Sequence, residues 1–352
     1  MIHRTDLYFV PPFPGSICKL IGPDGIFQKK HGEVYCFLAT KHGQLVGRIA
    51  AIVNHSHNSY YKDKTGFFGF FDCIDDPEVA VALFSAASAR LREKGFAILR
   101  GPYNPTVNDE VGLMVEGFNS APFVMMPYNP AYYLGLYEKL GLVPTRDLVA
   151  FYMPAEKEAP QRITRVVERI RKSSGITLRN INMARLNDEL KVIHMLYNLT
   201  LTKNWGFVPI TYEDLQSVAG ELKAFVDPTM VMIAEKNGEP IGFSLMFPNI
   251  NEIMWKVKKS PRWLRVIKFI WYLKTSHPRE ARLAVLGVHP EYRNAGLGAL
   301  FYYETLIRGQ KKYIGGELSW VDSENVDIIK GITLMGAKPY KRYRLFEKQL
   351  SA

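Results

Sequence analysis

A pattern at residues 37–47 returns 195 positions later, at residues 232–242, and this repeat limits the fold more than any other feature of the chain. Phe37-Leu38-Ala39-Thr40-Lys41-His42-Gly43-Gln44-Leu45-Val46-Gly47 reads as strand, turn and strand. Met232-Ile233-Ala234-Glu235-Lys236-Asn237-Gly238-Glu239-Pro240-Ile241-Gly242 reads the same way. Ala39 and Ala234, Lys41 and Lys236, Gly43 and Gly238, and Gly47 and Gly242 occupy equivalent places. Hairpins with such turns are common, so one match would carry little weight. The offset of 195 recurs, however, near the end of each half, between Gly141 and Gly336. Duplication follows as the expectation. The chain reads as two copies of one α/β unit, at 1–155 and 176–352, joined by a linker helix within 156–175. In that linker Ile163, Val166, Val167 and Ile170 fall on one helical face.

Each copy has a different insertion. The first carries a polar loop rich in Gly, Pro and Asn, from Gly101 through Pro122. The second carries a basic segment, Ile253 to Arg279, with eight basic residues and no acidic one. That segment accounts for most of the net charge of +11.

The second copy also contains Leu286-Gly287-Val288-His289-Pro290-Glu291-Tyr292-Arg293-Asn294-Ala295-Gly296-Leu297-Gly298. An apolar strand ends at a Pro, a turn follows with the spacing R-x-x-G-x-G, and an apolar helix begins at Ala299. Bare backbone N–H groups converge at such a turn, and the helix dipole favours an anion there. The glycines admit a phosphate close to the backbone. No Gly-Lys-Ser/Thr occurs, which excludes a Walker A loop, and the order of basic residue and glycines does not fit a Rossmann turn.

This V-x-P-x-x-R-x-x-G-x-G run resembles the pyrophosphate-binding signature of the GNAT acyl-CoA N-acyltransferases. The resemblance implies an α/β (α+β) fold of two tandem GNAT-like domains, each a mixed, mostly antiparallel sheet flanked by helices. It implies acetyl-CoA or a longer acyl-CoA as cofactor, held by Arg293, Asn294, Ala295, Gly296, Leu297 and Gly298. Backbone groups of Leu286 and Val288 would bond the pantetheine arm. The first copy has Ile74-Asp75-Asp76-Pro77 where the turn should be, yet keeps Leu136-Tyr137-Glu138-Lys139-Leu140-Gly141-Leu142, which is similar to the string that ends a GNAT domain. It reads as a degenerate copy that does not bind CoA.

Acyl transfer from a thioester to an amine needs a polarised carbonyl and a base that leaves the amine neutral. Aligned on Val321 and Asn325, the family's usual Glu position holds Trp320, and its usual Tyr position holds Ile332. The candidates for catalysis are therefore Glu110 and Asp109 of the polar loop and His289 beside the phosphate turn. Asn108, Tyr128, Trp205 and Trp320 are candidates for the acceptor pocket. No metal site is expected: Cys18, Cys36 and Cys73 are widely spaced and form no Cys-x-x-Cys pair.

From Ser260 and Pro261 the basic insertion follows a helix. Trp263, Val266, Ile267, Ile270, Trp271 and Leu273 share about half of its circumference, with Arg262, Arg265, Lys268 and Tyr272 on the other side and Phe269 and Lys274 breaking the pattern. An apolar face with tryptophans flanked by cations suits a helix lying in a membrane surface, and Trp263, Arg265, Ile267, Lys268, Ile270 and Trp271 are the candidate contacts. A helix docked on the protein's own core is the competing reading. Nucleic acid is not the expected partner, because no recognisable module accompanies the charge. With no secretory signal and no spanning run, the expected location is the cytoplasm, with peripheral attachment to the inner membrane face.

The layout also resembles, more loosely, the bacterial GNAT-type ceramide synthases, which acylate a sphingoid amine. That resemblance implies a CoA thioester and an amine acceptor as partners, with a lipid amine as the acceptor of the ceramide synthase type. The alternatives are acetylation of a small soluble amine, tRNA-dependent aminoacyl transfer, and a non-catalytic membrane- or partner-binding scaffold.

Overall fold

The computed structural model describes His3, residues 6–156 and residues 158–350. In chain order the elements of the first half are α1 (Ser16–Ile21), α2 (Ile26–Lys30), β1 (Gly32–Lys41), β2 (Gln44–Asn54), α3 (His55–Tyr61), β3 (Thr65–Cys73), α4 (Pro77–Glu93), β4 (Ile98–Gly101), β5 (Tyr103–Asn104), β6 (Glu110–Val111), β7 (Leu113–Glu116), α5 (Tyr133–Lys139) and β8 (Val143–Pro154). They continue with α6 (Gln161–Ser173), β9 (Ile176–Asn180), α7 (Leu186–Thr200), α8 (Tyr212–Leu222), β10 (Val231–Lys236), β11 (Glu239–Pro248), α9 (Asn251–Val257), α10 (Arg262–Thr275), β12 (Glu280–Val288), α11 (Leu297–Gly309), β13 (Gly315–Asp322), α12 (Val326–Leu334) and β14 (Lys338–Gln349).

Two compact units result, one of residues 1–148 with 341–352 and one of residues 149–340. The division differs from the copies read in the sequence, because it falls inside β8 and inside β14. In the first unit β1, β2 and β3 are antiparallel, β3 and β4 are parallel, and β14 is antiparallel to both β4 and β7. In the second, β9, β10, β11 and β12 are antiparallel and β12 and β13 are parallel. Each is a mixed, mostly antiparallel sheet flanked by helices.

The repeat extends to the hydrogen-bond register. Ala39 faces Gly47, a bulge follows between Ala39 and Thr40, and Lys41 faces Gln44. Ala234 faces Gly242, a bulge follows between Ala234 and Glu235, and Lys236 faces Glu239. The turns His42-Gly43 and Asn237-Gly238 have positive φ at both residues, as a two-residue hairpin with the right twist requires. The later match is a helix end. Gly141 and Gly336 both have positive φ, Leu142 N–H bonds Tyr137 O, and Ala337 N–H bonds Ile332 O.

In the first unit α4 lays Val79, Ala80, Leu83, Phe84, Ala87 and Leu91 on the sheet. Phe68, Phe71, Phe84, Tyr137 and Phe346 form an edge-to-face cluster there. The second unit has a core between its sheet, α6 and α11, and another against α7. Helix α6, read as a linker, belongs to the first of these: Ile163, Val167 and Ile170 are buried in it. An apolar stripe of that width needs a partner, and α11 supplies it.

Candidate active site

The site begins where two parallel strands part. Strands β12 and β13 pair from Glu280–Gly315 to Leu283–Leu318 and no further, although β12 runs on to Val288 and β13 to Asp322. A wedge opens between them beyond Leu283 and Leu318. On its other edge β12 stays paired to β11, with Phe243 opposite Gly287 and the His289 N–H bonded to Ile241 O. Antiparallel ladders alternate direction along the strand. The backbone groups of Gly287 therefore face β11, and those of Leu286 and Val288 face the wedge.

At the end of β12 the chain makes a short 3-10 turn, Pro290–Ala295, then Gly296 at φ 78°, then α11. No side chain caps α11. The N–H groups of its first turn have no intrahelical acceptor, so they and the positive end of the dipole face outward. A Cβ on Gly298 would meet nothing within 4 Å, so an anion can approach the backbone there. Gly296 is different: a Cβ would lie 3.0 Å from Val166 and 3.1 Å from Ile170, so α6 forms the floor of the turn. Arg293 is half-buried and donates through Nη2 to Thr200 O at the end of α7, 2.9 Å away. One of its five donors thus fixes the turn. Lys236 adds charge close by, 5.2 Å from the Tyr292 ring centre.

Of the other expected contacts, Asn294 and Ala295 are exposed on the turn. Leu297 is fully buried, so its side chain serves the core and only its backbone faces the turn. His289 accepts the Glu291 N–H through Nδ1 at 3.3 Å and so caps the 3-10 turn. Trp320 is half-buried on β13, two residues past the end of pairing, and Trp205 is half-buried in the segment between α7 and α8. A narrow apolar cavity under α11 is lined by Met246, Leu283, Tyr302, Leu306 and Leu318, sharing with the wedge the two leucines at its vertex.

The remaining candidates lie in the first unit. Asp109 accepts from the N–H and hydroxyl of Thr106, at 3.1 and 2.6 Å, and so ties the β5–β6 turn. Asn108 and Glu110 are exposed on the same hairpin, and Glu110 faces Asn104. Tyr128 donates to Asp6 Oδ1 at 2.6 Å; burial and that carboxylate push its phenol well up. Tyr137, 195 positions before Ile332, lies in the core, where burial holds its phenol well above the ordinary range.

Helix α10 exposes its tryptophans. Trp263 is 73% and Trp271 57% exposed, with Ile267 and Ile270 beside them and Lys268 and Lys274 at the margins. Phe269, which breaks the sequence pattern, is 3% exposed and meets the Phe225 ring at 6.0 Å. The helix docks through the residue that periodicity set aside and turns most of its expected apolar face to solvent. Among the described residues no helix is long and apolar enough to cross a membrane, and no cluster of His, Cys, Asp and Glu could hold a metal ion.

Sequence reasoning did not single out Glu317. It is fully buried on β13 beside the vertex, where Ser319 and Tyr340 both donate to it. Only the strand register brings these residues together, and local sequence carries no signal for it.

No protein-family profile matches the chain. It is 36% identical over 320 residues to Protein YghO of Escherichia coli (strain K12), covering 89% of this chain and 82% of that protein. It is 32% identical over 326 residues to the bacterial ceramide synthase of Caulobacter vibrioides (strain NA1000 / CB15N), covering 91% and 85%. Among solved structures, a tandem GNAT protein from the clavulanic acid biosynthesis pathway superposes with a TM-score of 0.54 at 12% identity, over 92% of this chain and 85% of that one.

Proposed function

Since this chain belongs to the family that includes the bacterial ceramide synthase and Protein YghO, and has the GNAT fold, we propose that it is an acyl-CoA-dependent N-acyltransferase whose acceptor is the amine of a membrane lipid. The observation that carries the acyl-CoA part is the wedge beyond Leu283 and Leu318 leading to an uncapped helix N-terminus at Gly296 and Gly298. That turn would hold the diphosphate, and the backbone groups of Leu286 and Val288, which face the wedge, would bond the pantetheine arm. Trp205, Trp320 and His289 lie in the same unit as the wedge and stay candidates for acceptor binding and proton transfer; Asn108, Asp109, Glu110 and Tyr128 belong to the other unit.

The lipid acceptor is supported by the ceramide synthase relative and by α10. Its exposed ridge of Trp263, Ile267, Ile270 and Trp271 lies in a segment with eight basic residues and no acidic one. Such a surface suits an anionic bilayer, where each basic residue contributes about 1 kcal/mol. The chain then works at the cytoplasmic membrane face.

A panel of CoA thioesters from acetyl to long-chain, offered with an aminolipid extract and scored by mass spectrometry, tests the reaction. Long-chain transfer to a sphingoid-type amine is expected, and a preference for acetyl-CoA with a water-soluble amine would remove the lipid acceptor. Co-sedimentation with phosphatidylglycerol vesicles tests the surface. Trp263→Ala with Trp271→Ala should abolish binding while leaving stability within about 0.5 kcal/mol, as expected for exposed positions.

A further inference from the structure

The strand register places a buried polar chain beside the vertex of the wedge. Arg282 on β12 faces Glu317 on β13, one pair before Leu283 and Leu318, where pairing ends. Side chains alternate along a strand. Leu283 and Leu318 point into the core under α11, so Arg282, Glu317 and Ser319 take the opposite face. Glu317 is 0% exposed, and Arg282 and Ser319 are each 4% exposed.

The hydrogen bonds give this group a direction. Arg282 donates from Nε to Ser319 Oγ at 2.8 Å and from Nη2 to Ser319 O at 3.0 Å. Ser319 donates to Glu317 Oε1, and Arg282 Nε lies 3.8 Å from that oxygen. The Tyr340 hydroxyl donates to Glu317 Oε2. A carboxyl group taken out of water needs a counterion and hydrogen-bonded oxygens, and Arg282, Ser319 and Tyr340 supply both. Tyr340 is half-buried, so it is the member of the chain that reaches toward solvent.

We propose that Tyr340 is the group that takes the proton from the acceptor amine, with Glu317 positioned behind it to receive the phenol's own proton. This deepens the acyltransferase reading and rests on it. The substrate ammonium gives its proton to Tyr340 Oη as the Tyr340 proton moves to Glu317 Oε2. The neutral amine attacks the thioester carbonyl carbon, the carbon–sulfur bond breaks, and the second nitrogen proton goes to the departing thiolate. Glu317 then returns its proton through Tyr340 to solvent. Arg282 and Ser319 are positioning residues that fix the Glu317 carboxyl group behind Tyr340.

The test compares two acceptors with palmitoyl-CoA and the full chain: sphinganine, charged at neutral pH, and hydroxylamine, already neutral there. Tyr340→Phe keeps the ring and should lower turnover of sphinganine by about 100-fold, a usual contribution of general base catalysis, while sparing hydroxylamine and CoA affinity. Glu317→Gln should give the same split; should it fail to fold, Tyr340→Phe decides. Equal loss on both amines, or no loss on either, overturns the inference and leaves the acyltransferase reading standing. A wild-type chain that binds no CoA, or binds it and acylates neither amine, overturns both.

Discussion

The two units solve the same geometric problem in opposite ways. Each has a pair of parallel strands that part after a few residues, β3 and β4 beyond Phe67–Arg100, β12 and β13 beyond Leu283–Leu318. In the first unit the chain fills its own gap. After β4 it turns back so closely that a Cβ on Gly69 would overlap Tyr103 O, and the Asn104 side chain accepts the Phe70 N–H at 2.6 Å. The helix that follows β3 is also satisfied internally: Asp76 accepts the Glu78 N–H as an N-cap, with Pro77 in the first turn. In the second unit β12 keeps its wedge edge, and α11 begins at a glycine without a side-chain cap. A carboxylate of the chain serves in one unit the role that a phosphate can serve in the other. The first unit therefore keeps the fold while spending its ligand-binding groups on itself.

Three measurements bear on this contrast. The largest effect should come from Gly298→Val. The added side chain starts in open space, so the fold tolerates it, while the anion's approach is blocked. Affinity for acyl-CoA should fall about 100-fold, equivalent to about 3 kcal/mol, with the melting temperature nearly unchanged. Unchanged affinity on calorimetry would mean that the turn is not the phosphate site. Gly296→Val is a poorer probe, since its positive φ and the contacts with Val166 and Ile170 make misfolding the expected result.

Asn104→Ala should come next. It leaves the Phe70 N–H without its acceptor, at a cost of about 1–3 kcal/mol in denaturant unfolding. Calorimetry should still count one CoA per chain. A second equivalent would show that the plug alone separates the two units.

The smallest effect concerns the wall of the first unit's vertex. His57 is buried there, its ring 4.8 Å from that of Phe67. Burial pushes its imidazole down to about 4, against an ordinary 6.5. The unfolded chain takes up a proton that the folded chain resists, so the stability His57 contributes is complete above about 6.5 and falls as pH drops toward about 4. The slope is at most about 1.4 kcal/mol per pH unit. His57→Gln should flatten unfolding curves compared between about pH 7 and about pH 5. Equal slopes in both proteins would show that the imidazole titrates normally.

The parts of this fold legible in sequence are those whose chemistry is local. His42-Gly43, Asn237-Gly238, Gly141 and Gly336 all have positive φ, and their spacing carries the repeat; the bulge that the two hairpins share emerges only from the strand register. The strand–turn–helix order around Gly296 was readable for the same reason. The plug at Gly69, the Glu317 group and the docking of Phe269 depend on strands and helices distant in the chain, and no local pattern encodes them. Periodicity found the apolar residues of α10 but not which of them the protein would cover.

The floor that α6 provides beneath Gly296 decides where the chain can be cut. Val166 and Ile170 lie before residue 176, where the second copy is read to begin, and residues 341–352 group with the first unit. The repeat expected from the sequence and the units that fold are thus different stretches of chain. A cut at residue 176 would yield two pieces, neither of which carries all of its own architecture: the later piece would leave Gly296 without its α6 floor, and the earlier one would lack the strand that β14 gives the first sheet.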